Sequence, residues 1–412
     1  MKVVLVGNTI LPDVLGGLPR YVRELAGALA RSGCEVVLVA KRVDRTAPRI
    51  EVAPDAVKII RHDVPSKRNP LFAPSYPFYT GRGVLSALRS ESGPLTVIHG
   101  HFPVTALPLL GGLPYLYTFH APVWRELLDE RQGTYALPGP AQRPAVALLR
   151  AAERRVVRRA AATFVLSEFM RSQLGDLDEC VAAAADRIPG GVDTDRFRPD
   201  PSTRPAEPGG PLLFTARRLT PRTGVDRLIA AMPEILRAHP LARLAVAGTG
   251  EMGARLRDIA SELGVAEQVS FLGSLSDASL VDWYRRASLV VLPTARLEGF
   301  GLTAAEALAC GTPVLATPVG ALPELLEPID PMLVATDSTP HALATAVNRL
   351  VASPARLRSA GERGHMRVTP SMGWDAVAER YIGAYEEALT QSSRGAMQPI
   401  LGRTRADGRS RR

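Results

Sequence analysis

A chain of 412 residues exceeds what one hydrophobic core ordinarily fills and suits two domains. With 46% hydrophobic and 22% charged residues, disorder of the whole chain is excluded, and no apolar run reaches the roughly 18 residues that a membrane-spanning helix needs. The net charge of +9 is concentrated, because six arginines and one aspartate between Arg394 and Arg412 carry +5 of it. That basic tail, taken as 391–412, has no apolar period and is expected to be disordered. No aromatic residue is interleaved with its arginines, so it reads as a solubilising tail and no nucleic-acid partner is expected.

The chain opens with "KVVLVG", a continuous apolar run of the kind found in a strand buried on both faces. It is too short for a signal peptide, and three scattered cysteines, Cys34, Cys180 and Cys310, outline neither a disulfide framework nor a zinc site. Both features point to the cytoplasm. "GLPRYVRELAGALARSG" has helical periodicity and ends on Gly33 as a C-terminal cap. "CEVVLVA", "TVIHGHF", "PYLYTFH" and "ATFVLS" follow as strands, with the helix "PAVALLRAAERRVVRRAAA" between the last two. On that helix Arg150, Arg154 and Arg158 recur at four-residue spacing beside Arg155 and Arg159. A solvated face is the preferred reading of this stripe, and a weak contact of 150–159 with the inner membrane surface is the alternative.

The proline- and glycine-rich "IPGGVDTDRFRPDPSTRPAEPGGP" interrupts the alternation as a linker. Strand and helix patterns then resume, from "LLFTAR" to "HALATAVNRLVASP", and "WDAVAERYIGAYEEALT" closes the ordered part as an amphipathic helix. The expectation is α/β: two Rossmann-like, doubly wound parallel-sheet domains in tandem, 1–190 and 211–373, joined by a linker at 191–210. Such sheets bind ligands at the carboxyl ends of their strands, so two of them would face one another across a deep cleft.

Gly248, Gly250 and Gly253 spell G-x-G-x-x-G after an apolar run, the fingerprint of dinucleotide binding. NAD would require an acidic residue about 20 positions on, at the end of the next strand. That strand, "VSFLG", ends in Gly273 and Ser274, and Asp277 comes too late, so the glycines read as a tight strand-to-helix turn.

The strongest chemical signal is "EGFGLTAAEALACGTPVLATPVGALPELL". Glu298 and Glu306 flank a glycine loop that lets a ligand approach the backbone and leads into a helix near Thr303. Open amides at that helix start favour an anion, and a carboxylate at Glu306 accepts two hydrogen bonds from a vicinal diol such as ribose. In "FTARRLTPRTG", a strand ending near Arg217 delivers Arg218 and Arg222 to a helix start, where two guanidinium groups suit a diphosphate.

With these stretches, and with "GGLPRYVRELA", "IPGGVDTDRFRP", "VAGTGE" and "VSFLGSL", the chain resembles family 4 of the retaining glycosyltransferases, which have the GT-B fold. The resemblance runs from Lys2 to about Thr390. It implies an acceptor-binding N-terminal domain, completed by the C-terminal helix 374–390, and a C-terminal domain that binds a nucleoside diphosphate sugar. By the same resemblance Gly16 and Gly17 approach the donor diphosphate, His120 lies beside the donor sugar, Arg218 neutralises the diphosphate, and Glu298 hydrogen-bonds the sugar. Gly299, Phe300, Gly301 and Leu302 form the loop whose amides lie near sugar and phosphate, Glu306 binds ribose, and Leu275 falls at the base. One position departs from the family: Thr223, expected among the donor contacts, stands where a lysine is usual, and Arg222 beside it is expected to supply the missing charge.

The expected reaction is transfer of a sugar from a nucleoside diphosphate sugar to an acceptor that the sequence leaves open, whether glycan, lipid or small natural product. Retention and front-face substitution follow from the resemblance alone. Two D-x-D strings, Asp193 to Asp195 and Asp176 to Asp178, fall in the linker and in a polar loop, so neither a metal nor another cofactor is expected. A sugar-nucleotide 2-epimerase and an inactive nucleotide-sugar-binding subunit are the alternatives, and intact Glu298, Glu306, His120 and Arg218 speak against the second. Base, sugar, linkage and oligomeric state are not legible.

Overall fold

The structure is a computed structural model and describes residues 1–14, 16–66, 72–93, 95–125, 139–200, 202 and 210–393. The expected disordered tail lies outside these residues from 394 onward, as do 201 and 203–209 of the expected linker. The chain divides into two compact units, Met1–Pro189 with Trp374–Arg412, and Gly190–Gly373.

The first unit holds an eight-stranded sheet among the described residues, in the order β3-β4-β2-β1-β5-β6-β7-β8. The strands are β1 (Lys2–Val6), β2 (Glu35–Lys41), β3 (Ile50–Val52), β4 (Lys58–His62), β5 (Thr96–Gly100), β6 (Leu116–Phe119), β7 (Ala162–Val165) and β8 (Asp186–Arg187). β1 pairs in parallel with β2 on one side and β5 on the other, and Val3 to Val6 are fully buried, as a both-faces-covered strand requires. β3 is the exception to the expected parallel sheet, since it runs antiparallel to β4 at the edge.

Helix Gly17–Arg31 buries Tyr21, Val22, Leu25, Ala26 and Leu29 along one stripe. Its end is a Schellman turn: Gly33 sits at φ +85°, its amide donates to Ala30, and the Cys34 amide donates to Leu29, both at 3.0 Å. Helix Trp374–Ser393 packs on this helix and on the sheet. Tyr381 Oη lies 2.8 Å from Tyr21 Oη, and Arg31 pairs with Asp375 at 2.7 Å. A further helix, Phe72–Glu91, lies in a segment the sequence left unread; Pro77 inside it breaks the pattern by which a helix is recognised.

The second unit holds a five-stranded parallel sheet, β11-β10-β9-β12-β13, formed by β9 (Leu212–Ala216), β10 (Arg243–Ala247), β11 (Val269–Gly273), β12 (Leu289–Leu292) and β13 (Val314–Ala316). The start of the expected linker is packed structure. The Val192 amide donates to Met372 at 2.7 Å, Phe197 is buried, and residues 190–200 belong to this unit. The helix Pro354–Met372 was not anticipated, because its sequence is poor in apolar period.

Candidate active site

The order of the second sheet reverses between β9 and β12. The chain leaves these neighbouring strands in opposite directions, and the carboxyl ends of such a pair are where doubly wound sheets hold ligands. The segment after β9 carries Arg217, Arg218 and Arg222, and the segment after β12 carries Glu298. The two segments are stitched together. Ala295 and Arg296 amides donate to the Arg222 carbonyl at 2.9 and 3.2 Å, and Arg222 Nη1 donates to the Leu297 carbonyl at 2.8 Å. Arg217 Nη2 donates to Glu298 Oε2 at 2.6 Å and to Thr294 Oγ1 at 3.2 Å.

This geometry changes the roles expected along the basic loop. Arg218 is exposed. Arg222 is engaged with the facing loop through Nη1. Thr223 is 2% exposed, and its hydroxyl is within bonding distance of the Arg218 and Thr220 carbonyls, 2.7 and 2.8 Å away. It is a brace inside the 3-10 turn Pro221–Thr223, where a ligand contact had been expected. Arg217, which the sequence reading passed over, is the arginine that reaches Glu298. Adjacent arginines at a strand end are indistinguishable by residue type.

Glu306 lies in helix Leu302–Ala309, whose N-terminus at Gly301 has no side-chain cap. The carboxylate is 7% exposed and its Oε2 accepts from Tyr284 Oη at 3.1 Å, a second partner the sequence did not reveal. Phe300 is buried, while Gly299 and Leu302 are partly buried. Leu275 is partly buried in the turn between β11 and helix Asp277–Arg286. The Glu298 carbonyl accepts from the Ala321 amide at 2.9 Å, and a Cβ at Gly320 would stand 2.2 Å from that carbonyl oxygen. The glycine of "PVGALPE" therefore lets the chain lie directly against Glu298.

The G-x-G string has the same physical origin. A Cβ on Gly248 would meet the Arg217 carbonyl oxygen at 1.8 Å, and one on Gly250 the Leu219 carbonyl oxygen at 2.3 Å. The two strand-end loops run backbone against backbone, with Arg217 and Leu219 amides donating to Ala247 and Thr249 at 2.9 Å.

In the first unit the sheet order reverses between β1 and β5. Gly16 caps helix Gly17–Arg31 with no side-chain bond, and Gly17 is exposed. His120 follows β6 and is partly exposed, with its ring edge on Tyr21 at a centroid distance of 4.7 Å. Its Nε2 lies 3.1 Å from Nδ1 of His101, the residue that follows β5. His101 was missed although "TVIHGHF" displayed it, because a lone strand-end histidine is more often a core residue. His99 is fully buried between Tyr385 Oη at 2.7 Å and Thr118 Oγ1 at 2.8 Å. Burial, with the neighbouring His120, drives His99 down to about 3. Burial, with His99 and His120, pushes His101 well below the usual range, and burial lowers His120 too.

The D-x-D strings are occupied locally. Asp178 caps helix Glu179–Ala184 and pairs with Arg154 at 3.2 Å and with Arg158, while Asp176 pairs with Arg125 at 2.8 Å. Asp193 accepts from the Asp195 and Arg196 amides at 3.2 and 3.0 Å. Arg154 and Arg158 of the basic stripe thus face an acid and Arg150 donates to the Asp176 carbonyl, while Arg150, Arg154, Arg155 and Arg159 are all exposed. Among the described residues no group of three or more His, Cys, Asp or Glu is placed to hold a metal ion, and no helix is long and apolar enough to cross a membrane.

Comparison with known proteins agrees with this architecture. The model of glycosyltransferase family 4 matches residues 15–196, and that of glycosyl transferases group 1 matches residues 199–367. A D-inositol 3-phosphate glycosyltransferase of Frankia alni is 31% identical over 403 residues, covering 92% of this chain and 96% of its own. The sucrose-phosphate synthase of Thermosynechococcus elongatus superposes with a TM-score of 0.79 at 24% identity, over 94% of this chain and 99% of that one. Anabaena HepE, solved in complex with UDP and glucose, gives 0.72 at 16% identity, over 94% and 100%. The fold is GT-B, two parallel-sheet α/β units. The chain belongs to the group 1, family 4 glycosyltransferases, and it is a glycosyltransferase.

Proposed function

We propose that this glycosyltransferase takes its sugar from a nucleoside diphosphate sugar, that the second unit binds this donor, and that the sugar is transferred with retention and without a metal ion. The observation that carries the reading is the stitched pair of loops at the β9/β12 reversal, one carrying three arginines and the other Glu298 and leading to the uncapped start of helix Leu302–Ala309. Arginines and helix amides stabilise the charge that develops on the leaving diphosphate. Glu306, already oriented by Tyr284, accepts from the ribose diol. Gly299, Phe300, Gly301 and Leu302 bring backbone close to sugar and phosphate, and Leu275 lies at the base. On the first unit, Gly16, Gly17 and His120 are donor contacts by the family resemblance, and this unit selects the acceptor. The leaving phosphate oxygen takes the acceptor proton, so no separate protein base is required.

A thermal-shift panel of UDP, GDP, ADP and TDP tests donor class, since a ligand raises the melting temperature according to its affinity. No response to any of the four overturns the donor reading. The name of the Frankia relative makes inositol 3-phosphate the first acceptor to assay with the nucleotide sugar so chosen. NMR of the product reads the anomeric configuration, and inversion overturns retention. Activity abolished by EDTA and restored by manganese or magnesium overturns the metal-free proposal.

A further inference from the structure

Thr223 is folded inward and Arg222 is bound to the Leu297 carbonyl, while Arg217 makes direct contact with the site carboxylate Glu298. The Arg217 and Glu298 side chains are 8% and 15% exposed, and their terminal atoms meet at 2.6 Å. Arg217 Nη2 is shared with Thr294 Oγ1, and its Nε is buried without a partner. Both backbones are pinned independently of the side chains. The Arg217 amide donates to Ala247 at 2.9 Å, and the Glu298 carbonyl accepts from Ala321 at 2.9 Å.

An ion pair this far out of water returns little net stability, because desolvation offsets the attraction. A neutral, well-packed pair would hold the loops as well. What the ion pair supplies is direction: it fixes the carboxylate in one rotamer, occupies Oε2 and leaves Oε1 to accept from elsewhere. We propose that Arg217 is the positioning residue for Glu298, so that the donor sugar meets a preset carboxylate oxygen with one of its hydroxyl protons. This rests on the reading of Glu298 as a donor-sugar contact. It also transfers to Arg217 part of the importance that spacing assigned to Arg222.

Calorimetric titration separates positioning from a direct phosphate contact. UDP-glucose and GDP-mannose are the probes, with UDP and GDP as their sugar-free counterparts. Arg217→Met should leave UDP or GDP affinity within about twofold and weaken the matching sugar nucleotide about tenfold or more. Arg217→Lys should recover part of that loss, and Arg217→Met with Glu298→Gln should bind no worse than Glu298→Gln alone. The double variant and the lysine variant also cover failure of the single methionine variant to fold, because neither leaves an unpaired carboxylate.

Equal loss of nucleotide and sugar nucleotide, losses that add in the double variant, or unchanged binding in all variants would each overturn the proposal. A protein that answers ADP or TDP in place of UDP or GDP is titrated with ADP-glucose or TDP-glucose in the same design. Wild-type protein that binds none of these nucleotides or sugar nucleotides overturns the donor reading and the proposal with it. Wild-type binding with unresponsive variants removes Arg217 alone.

Discussion

Nδ1 of His101 and Nε2 of His120 lie 3.1 Å apart, and the His99 ring is tilted against His101 at a centroid distance of 4.1 Å. Three imidazoles this close, with His99 fully buried, are neutral together. Burial holds His99 at about 3, and it lowers His101 and His120 as well. His62, elsewhere in this unit, is held at about 4 by burial and by nearby Lys41. Each of these groups has a folded pKa below its unfolded value of about 6.5, so the unfolded chain binds more protons in between. Their contribution is fully present above about 6.5 and is lost as pH falls toward the folded values. The melting temperature should be level above about pH 7 and fall steadily from about 6.5 to 4.5. A level melting temperature down to pH 4.5 contradicts the neutral cluster.

Tyr381 Oη joins Tyr21 Oη at 2.8 Å to Thr118 Oγ1 at 3.0 Å, and Thr118 leads on through His99 to Tyr385. This buried chain ties helix Trp374–Ser393 to the first sheet. Tyr381→Phe keeps the ring but strands the buried Tyr21 hydroxyl and leaves Thr118 only its bond to His99, at a cost of about 1–3 kcal/mol in a urea titration. A loss below about 0.5 kcal/mol, the range of ordinary surface substitutions, would show that the network contributes nothing.

Gly320 and Gly264 both sit at φ +68°, so alanine strains both backbones alike. They differ in surroundings, because a Cβ at Gly264 meets nothing within 4 Å whereas at Gly320 it meets the Glu298 carbonyl at 2.2 Å. Gly264→Ala should cost about 1 kcal/mol and spare turnover. Gly320→Ala should shift Glu298 and lower kcat about tenfold or more, as small misplacements at a reacting centre do. Equal kinetics for the two variants would detach Glu298 from catalysis.

Thr223→Val removes a hydroxyl that braces the turn and preserves shape. It should lower stability by about 1 kcal/mol and leave the donor KM unchanged. Arg222→Ala removes the bond to the Leu297 carbonyl and a charge at the site, so kcat/KM should fall about ten- to a hundredfold. If Thr223→Val raises the donor KM while Arg222→Ala is silent, the hydroxyl is the ligand.

Sequence alone determined the architecture and marked the neighbourhood of a candidate site. Apolar runs such as Val3 to Val6 and the stripe of helix Gly17–Arg31 encode burial through local periodicity, which is independent of what packs on them. Glu298, Glu306 and the glycine loop between them stand out as site candidates for a related reason, since their residue types are compressed into one short segment. Only tertiary structure decided which neighbours orient these groups. Arg217 and Glu298 are 81 residues apart, Tyr284 and Glu306 are 22, and Tyr21 and Tyr381 are 360. Residue type and spacing carry no signal at such separations. Whether Arg217, Arg218 or Arg222 reaches the carboxylate depends on how two loops are stitched at a strand-order reversal, and whether Thr223 faces in or out depends on carbonyls three and five residues before it. These are geometric outcomes of folding, in which side chains reach carbonyls and carboxylates that the backbone path, and not the local residue pattern, brings near.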